Sequence, residues 1–147
     1  MNLETIHEEW SVDSKIEFNQ LDVSSMDTPR LHAKYLKLYS DAKLKLKHSE
    51  MQQQILLKNK FLWYNGKMHQ GDIERLGWNP DPFDGLKIMK GDMSYYYDSD
   101  PEIQTSEAKL SYLKETIDTL KEIVESLKWR HQTIGNMIRY KQFEAGF

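Results

Sequence analysis

Apolar residues recur along the last third of the chain at Leu110, Leu113, Ile117, Leu120, Val124, Leu127, Ile134 and Ile138, with His131 in the same register. This alternation of steps of three and four is the heptad seam of one long helix, predicted over residues 100–144. Ser99-Asp100-Pro101-Glu102 marks its start, through a capping box or an Asp cap followed by Pro at the first helical position. Such a helix is roughly 60 Å long, whereas a domain of this size is only ~30 Å across. The seam therefore packs against another helix of the chain, another subunit, or both.

A second long helix is predicted over residues 28–66. Thr28 offers a capping oxygen, Pro29 suits the first helical position, and no Gly or further Pro follows until Gly66. Asn65-Gly66-Lys67 then reads as a stop. The apolar stripe of this helix, Leu31, Tyr35, Leu38 and Ala42, gives out over residues 47–54, which are polar almost all round. Its ends or its neighbours must hold it. Near the N terminus, Leu3, Ile6 and Trp10 behind Asn2 predict a short amphipathic helix over residues 1–13, whereas residues 11–27 lack sustained periodicity and read as an extended connector. Residues 67–99 read as loop or hairpin. Within them Gly77-Trp-Asn-Pro-Asp-Pro-Phe-Asp-Gly85 is turn-rich, and residues 86–97 predict a small β-hairpin turning at Lys90-Gly91-Asp92, with Tyr95, Tyr96 and Tyr97 on the return strand. The expected class is mainly α: a single domain whose elongated, helical hairpin-like protomer rests on two long helices.

Composition changes this picture little. A hydrophobic share of 39%, a charged share of 29% and a mean hydropathy of −0.74 suit long solvated helices better than a compact ball. The chain has no cysteine, so disulfides, Cys-type zinc sites and thiol catalysis are excluded and a reducing compartment is expected. No apolar run approaches the roughly 20 residues needed to span a bilayer. These features predict a cytoplasmic protein without a membrane partner.

Charge changes it more. The net charge is only −3, yet residues 28–67 carry nine bases (Arg30, Lys34, Lys37, Lys43, Lys45, Lys47, Lys58, Lys60, Lys67) against Asp41 and Glu50. The flanking segments 1–27 and 68–107 are each at −6. Either an external polyanion lies on the basic helix or the acidic segments pair with it, within or between subunits. Catalysis has little support: no phosphate loop, dinucleotide fingerprint, zinc-protease motif or calcium loop is present, the five histidines are scattered, and no cofactor, metal or catalytic residue is expected. Helical geometry puts Lys43, Lys47, Gln54 and Lys58 on one stripe within about 60°, while Lys60 lies about 160° from Lys58, nearer Lys67. A single strand needs a cationic track and rings for its bases. Trp63 and Tyr64 supply rings at the right end, although an aromatic at helical spacing is by default core.

With these residues in view the chain resembles the UvsY family of recombination mediators from tailed bacteriophages. The likeness lies in the acidic start Leu3-Glu-Thr-Ile-His-Glu-Glu9, in Leu31-His-Ala-Lys-Tyr35, in the ending Phe143-Glu-Ala-Gly146, and above all in Leu57-Lys-Asn-Lys-Phe-Leu-Trp-Tyr-Asn-Gly66. The last is similar to the family motif Leu-Lys-x-[Arg/Lys]-x-x-[aromatic]-Tyr-x-Gly. The resemblance implies a helical protein that forms a ring of six or seven subunits in the infected bacterial host. It also implies binding to single-stranded DNA, contact with the phage recombinase and the phage single-strand binding protein, and a role in weakening that protein's hold while the recombinase loads. The family's two DNA-contacting basic positions map onto Lys58 and Lys60, the second being Lys where Arg also occurs, which loses the planar fork. The nucleic-acid-binding set expected is thus Lys58, Lys60, Lys43, Lys47, Lys67, Trp63 and Tyr64. Self-association by the C-terminal helix corresponds to Leu113, Ile117, Leu120, Val124, Leu127 and Ile134. The alternative reading is a structural coiled-coil assembly protein without direct nucleic-acid binding.

Overall fold

The computed structural model describes residues 1–146. Among them five α-helices form, α1 (Leu3–Asp13), α2 (Leu21–Tyr64), α3 (Gln70–Leu76), α4 (Met93–Ser99) and α5 (Pro101–Glu144), with a 3₁₀ turn at Lys90–Asp92 and no strand. Two compact units result, one from Met1–Lys45 together with the chain from Leu113 onward, the other from Leu46–Tyr112. No described helix is long and apolar enough to cross a membrane.

In the first unit α1 starts on the Asn2 side chain, which accepts from the Thr5 amide at 2.8 Å. Its Ile6 enters a core with Leu31 and Tyr35 of α2 and Leu120, Ile123, Val124 and Leu127 of α5. Trp10 meets Tyr35 edge to face, with ring centroids 5.3 Å apart. The polar end of Tyr35 is satisfied by donating to Asp13 at 2.8 Å, and Lys34 donates to the same carboxylate at 2.7 Å. Burial acts to raise the Asp13 pKa, but these two donors outweigh it and the carboxyl lies below its ordinary value. Arg130, buried on α5, donates to the carbonyls of Asp13 and Lys15 and so satisfies the end of α1.

This packing decides what the heptad seam does. Leu113, Leu120, Val124, Leu127 and Ile134 are buried and Ile117 is half-buried within the chain itself, whereas His131 and Ile138 are exposed. The seam is core for most of its length.

Helix α2 begins at Leu21 rather than at Thr28, so the residues just before Thr28 are helical and not extended. Leu21 and Ser24 are buried, and the Ser24 hydroxyl accepts from the Glu17 amide at 3.1 Å. Pro29 lies inside the helix. It withholds one bond, from the carbonyl of Ser25, an exposed residue. Packing of the first turns outweighs that loss.

In the second unit α2 stops in a Schellman motif: the Lys67 amide donates to the Leu62 carbonyl at 2.8 Å and the Gly66 amide to the Trp63 carbonyl at 3.2 Å. Gly66 takes φ 68°, which a side chain would resist. Helix α3 is capped by His69, whose Nδ1 accepts from the Gly71 amide, and ends on left-handed Gly77. The loop that follows winds around Asp81, which accepts from the amides of Phe83 and Gly85.

The β-hairpin expected over residues 86–97 is not formed; the segment makes the 3₁₀ turn and α4 instead. Neighbouring residues of a strand point to opposite faces, but successive residues of a helix are only about 100° apart. Tyr96 and Tyr97 can therefore pack into one aromatic cluster, Tyr96 against Phe83 at 5.1 Å and Tyr97 against Tyr64 at 4.9 Å. Ring packing overrode the strand propensity of the three tyrosines.

Candidate nucleic-acid interface

The motif at the end of α2 places its two lysines in opposite surroundings. Counting about 100° per residue, Lys47, Met51, Gln54 and Lys58 share one face while Ser49, Leu56 and Lys60 share the other. Lys47, Met51, Gln54 and Lys58 are exposed, and Ser49 and Lys60 are buried. Among the described residues Lys47, Lys58 and Lys67 have no carboxylate within ion-pair distance. Lys43, in the first unit, is exposed with its ammonium 4.9 Å from the Tyr39 ring centroid.

Lys60 is only 3% exposed. Its Nζ lies 3.0 Å from Asp100 Oδ2 and 3.3 Å from Glu102 Oε1, with the ring centroids of Trp63 and Trp78 at 4.6 and 4.0 Å. Two carboxylates and two indole faces thus replace its hydration shell, the condition under which a buried ammonium is tolerated. Asp100 is the hinge of the cluster. One of its oxygens caps α5, accepting from the amides of Glu102 and Ile103 at 3.0 and 3.1 Å, while the other takes Lys60 and the Tyr64 hydroxyl, the latter at 2.6 Å. Burial alone would raise the Asp100 pKa; Tyr64, the Ile103 amide and Lys60 reverse that and hold it below the ordinary carboxylate value. Tyr64 is pushed up, by burial first and then by its bond to Asp100.

The rings expected to stack on bases are largely occupied. Trp63 donates its indole N–H to the Asn79 carbonyl at 2.7 Å and packs on Trp78 with centroids 5.1 Å apart. Tyr64 is buried between Phe83 and Tyr97. Phe61, by contrast, is 51% exposed. The roles of Asp100, Glu102 and Trp78 as partners of Lys60, and the exposure of Phe61, escape a reading of the sequence. Asp100 is legible only as a cap, and its pairing with Lys60 spans forty positions without a local signal.

The sequence model of the family described as "Recombination, repair and ssDNA binding protein UvsY" matches residues 9–147. The chain belongs to the UvsY family. Three crystal forms of the bacteriophage T4 recombination mediator protein UvsY share its fold. Lattice type II superposes with a TM-score of 0.81 at 23% identity over 99% of each chain. Type IV gives 0.79 at 21% identity over 98% of this chain and 99% of that one, and type I gives 0.79 at 20% over 95% and 98%. At these identities the likeness is one of fold. No curated protein sequence matches the chain. Within this UvsY-family chain the central motif divides between a lysine open to solvent, Lys58, and a lysine enclosed by its own protomer, Lys60. Among the described residues no group of three or more His, Asp or Glu is placed to hold a metal ion.

Proposed function

We propose that this protein is a phage recombination mediator: it binds single-stranded DNA, weakens the hold of the phage single-strand binding protein and promotes loading of the phage recombinase in recombination and repair. The observation that carries the reading is the family match over residues 9–147. The exposed ammonium groups of Lys47, Lys58 and Lys67, which among the described residues have no carboxylate within ion-pair distance, support it, because a polyanion is bound chiefly by releasing its counterions on such groups. Lys60 enters this reading as a positioning residue. It ties the end of α2 to the first turn of α5 and so presents Lys58 on a fixed helix.

Assembly into a ring of identical subunits belongs to the same proposal. Trp129, Tyr140 and Phe143 of α5 fall within about 60° of one another and are 59%, 55% and 77% exposed, an apolar face suited to a second copy. In a ring each subunit would add binding groups at high effective concentration, which converts a weak cationic cluster into an avid one.

The test is a salt titration of binding to a labelled single strand. Lys47→Ala with Lys58→Ala is expected to reduce the slope of log K against log salt by about 0.7 for each phosphate that is no longer neutralised. Thermal stability should be unchanged, since neither lysine touches the core. A wild-type protein that fails to bind single strands at low salt would support the purely structural alternative. The intrachain pairs Lys34–Asp13 and Lys60–Asp100 are what favour that alternative.

A further inference from the structure

An open groove of about 540 Å³ lies between the last turns of α2 and helix α4. Leu57, Phe61, Met93 and Tyr97 form its walls, and Lys90 and Asn65 stand at its edge. We infer that this groove is a nucleobase-stacking subsite for single-stranded nucleic acid, with Phe61 as the stacking platform and Lys58 and Lys90 as its phosphate-binding groups. This deepens the single-strand-binding proposal and rests on it.

Phe61 carries the inference. Its ring is half exposed, while Trp63, Tyr64, Trp78, Phe83 and Tyr97 all have ring neighbours in the cluster around Lys60. An aromatic face left open beside cations is what sequence-tolerant single-strand binding requires, since every base has a π face and every nucleotide a phosphate. The cations are present. Lys90 lines the groove, and Lys58, three positions before Phe61, neighbours it on the helix surface. Both are exposed, and among the described residues neither has a carboxylate within ion-pair distance. The Asn65 side-chain N–H₂ donates to the Phe61 carbonyl and to the Tyr97 hydroxyl, which leaves its carbonyl oxygen as an acceptor for a base edge. Asp98, the acid of α4, is not among the residues that line the groove. Asp92 lines a separate hollow with Tyr95 and Tyr96.

Charge also decides between occupants. An apolar segment of a protein would cover Phe61 only by burying Lys58 and Lys90 without partners, which is costly. A nucleotide brings an anion for each.

The test uses the full chain, a fluorescein-labelled oligothymidine and an abasic strand of equal length, with affinity followed by anisotropy over a salt series. Wild type is expected to prefer the thymidine strand by on the order of tenfold. Phe61→Ala should erase that preference and leave the salt slope unchanged, whereas Phe61→Trp should retain it. Preservation of the preference in Phe61→Ala overturns the subsite while strand binding itself stands. Loss of particle mass in Phe61→Ala on sedimentation assigns the groove to a second copy and overturns it too. Failure of wild type to bind either strand at low salt removes the reading on which the subsite rests.

Discussion

Lys60→Ala is expected to destabilise the protein by about 3–5 kcal/mol, the cost of leaving a buried carboxylate without its counter-charge. Asp100 side-chain exposure is 2%, so water cannot take over from the ammonium. Glu102, at 51%, can be re-solvated and contributes little to the loss. Tyr64→Phe removes the 2.6 Å bond to Asp100 and the longer 3.4 Å contact with the Tyr96 carbonyl, and should cost about 1–3 kcal/mol. Because Lys60 and Tyr64 share Asp100, their effects should be non-additive, and Lys60→Ala combined with Asp100→Asn should lose less than the sum of the two. Urea unfolding monitored by circular dichroism reads all of these. The same experiment separates Lys60 from Lys58, whose removal should change the salt slope of DNA binding and leave the urea midpoint in place. A Lys60→Ala protein of wild-type stability would mean that the pair with Asp100 does not hold this end of α2 in place.

The cluster also sets an acid limit. Asp100 has a folded-state pKa below its unfolded value of about 3.9, so its contribution is complete above that pH and is lost as pH falls through the folded pKa. Asp13 shifts in the same direction in the first unit. Wild type should therefore hold its urea midpoint through neutral and mildly acidic pH. In Lys60→Ala the lowering influence of the ammonium is gone, and stability should begin to fall at a higher pH.

The second large effect belongs to the core of the first unit. Leu120, 1% exposed, and Leu127, 2% exposed, pack with Ile6, Leu31 and Tyr35. Leu120→Ala is expected to cost about 2–5 kcal/mol through reduced burial and the cavity left behind. Leu120→Asp with Leu127→Asp places two uncompensated charges in the same core and should unfold the unit, seen as a collapse of helical dichroism and of cooperativity. Dissociation into folded protomers, the outcome expected of an interface between subunits, would mean that this core is not the one that holds the chain together. Trp129→Ala, at an exposed position of the same helix, should change stability by less than about 0.5 kcal/mol, and its effect is to be read in particle mass.

Which of these roles could be read from the chain follows from the distance over which each is encoded. The seam of α5, the cap at Asp100 and the stop at Asn65-Gly66 depend on residues within a few positions of one another, so spacing and residue type suffice to see them. The opposition of Lys58 and Lys60 is equally local, since two helical steps turn a side chain most of the way round. Local spacing also misled at two places. Thr28-Pro29 has the form of a helix start, but burial of Leu21 and Ser24 carries the helix past it. Tyr95, Tyr96 and Tyr97 have the propensity of a strand, but Phe83 and Tyr64 offer Tyr96 and Tyr97 ring partners that only a helix brings to one side.

The sequence by itself therefore determined the helical class, the two long helices, the family motif and the separation of its lysines onto different faces. Only the tertiary structure decided which face is enclosed. Asp100 and Trp78 approach Lys60 from distant points of the chain, and the desolvation they impose converts a lysine of the family motif into the centre of a buried ion pair. The same packing consumes Trp63 and Tyr64 and leaves Phe61 open beside Lys58, because rings and charges in a helix are sorted by what the rest of the fold places against them.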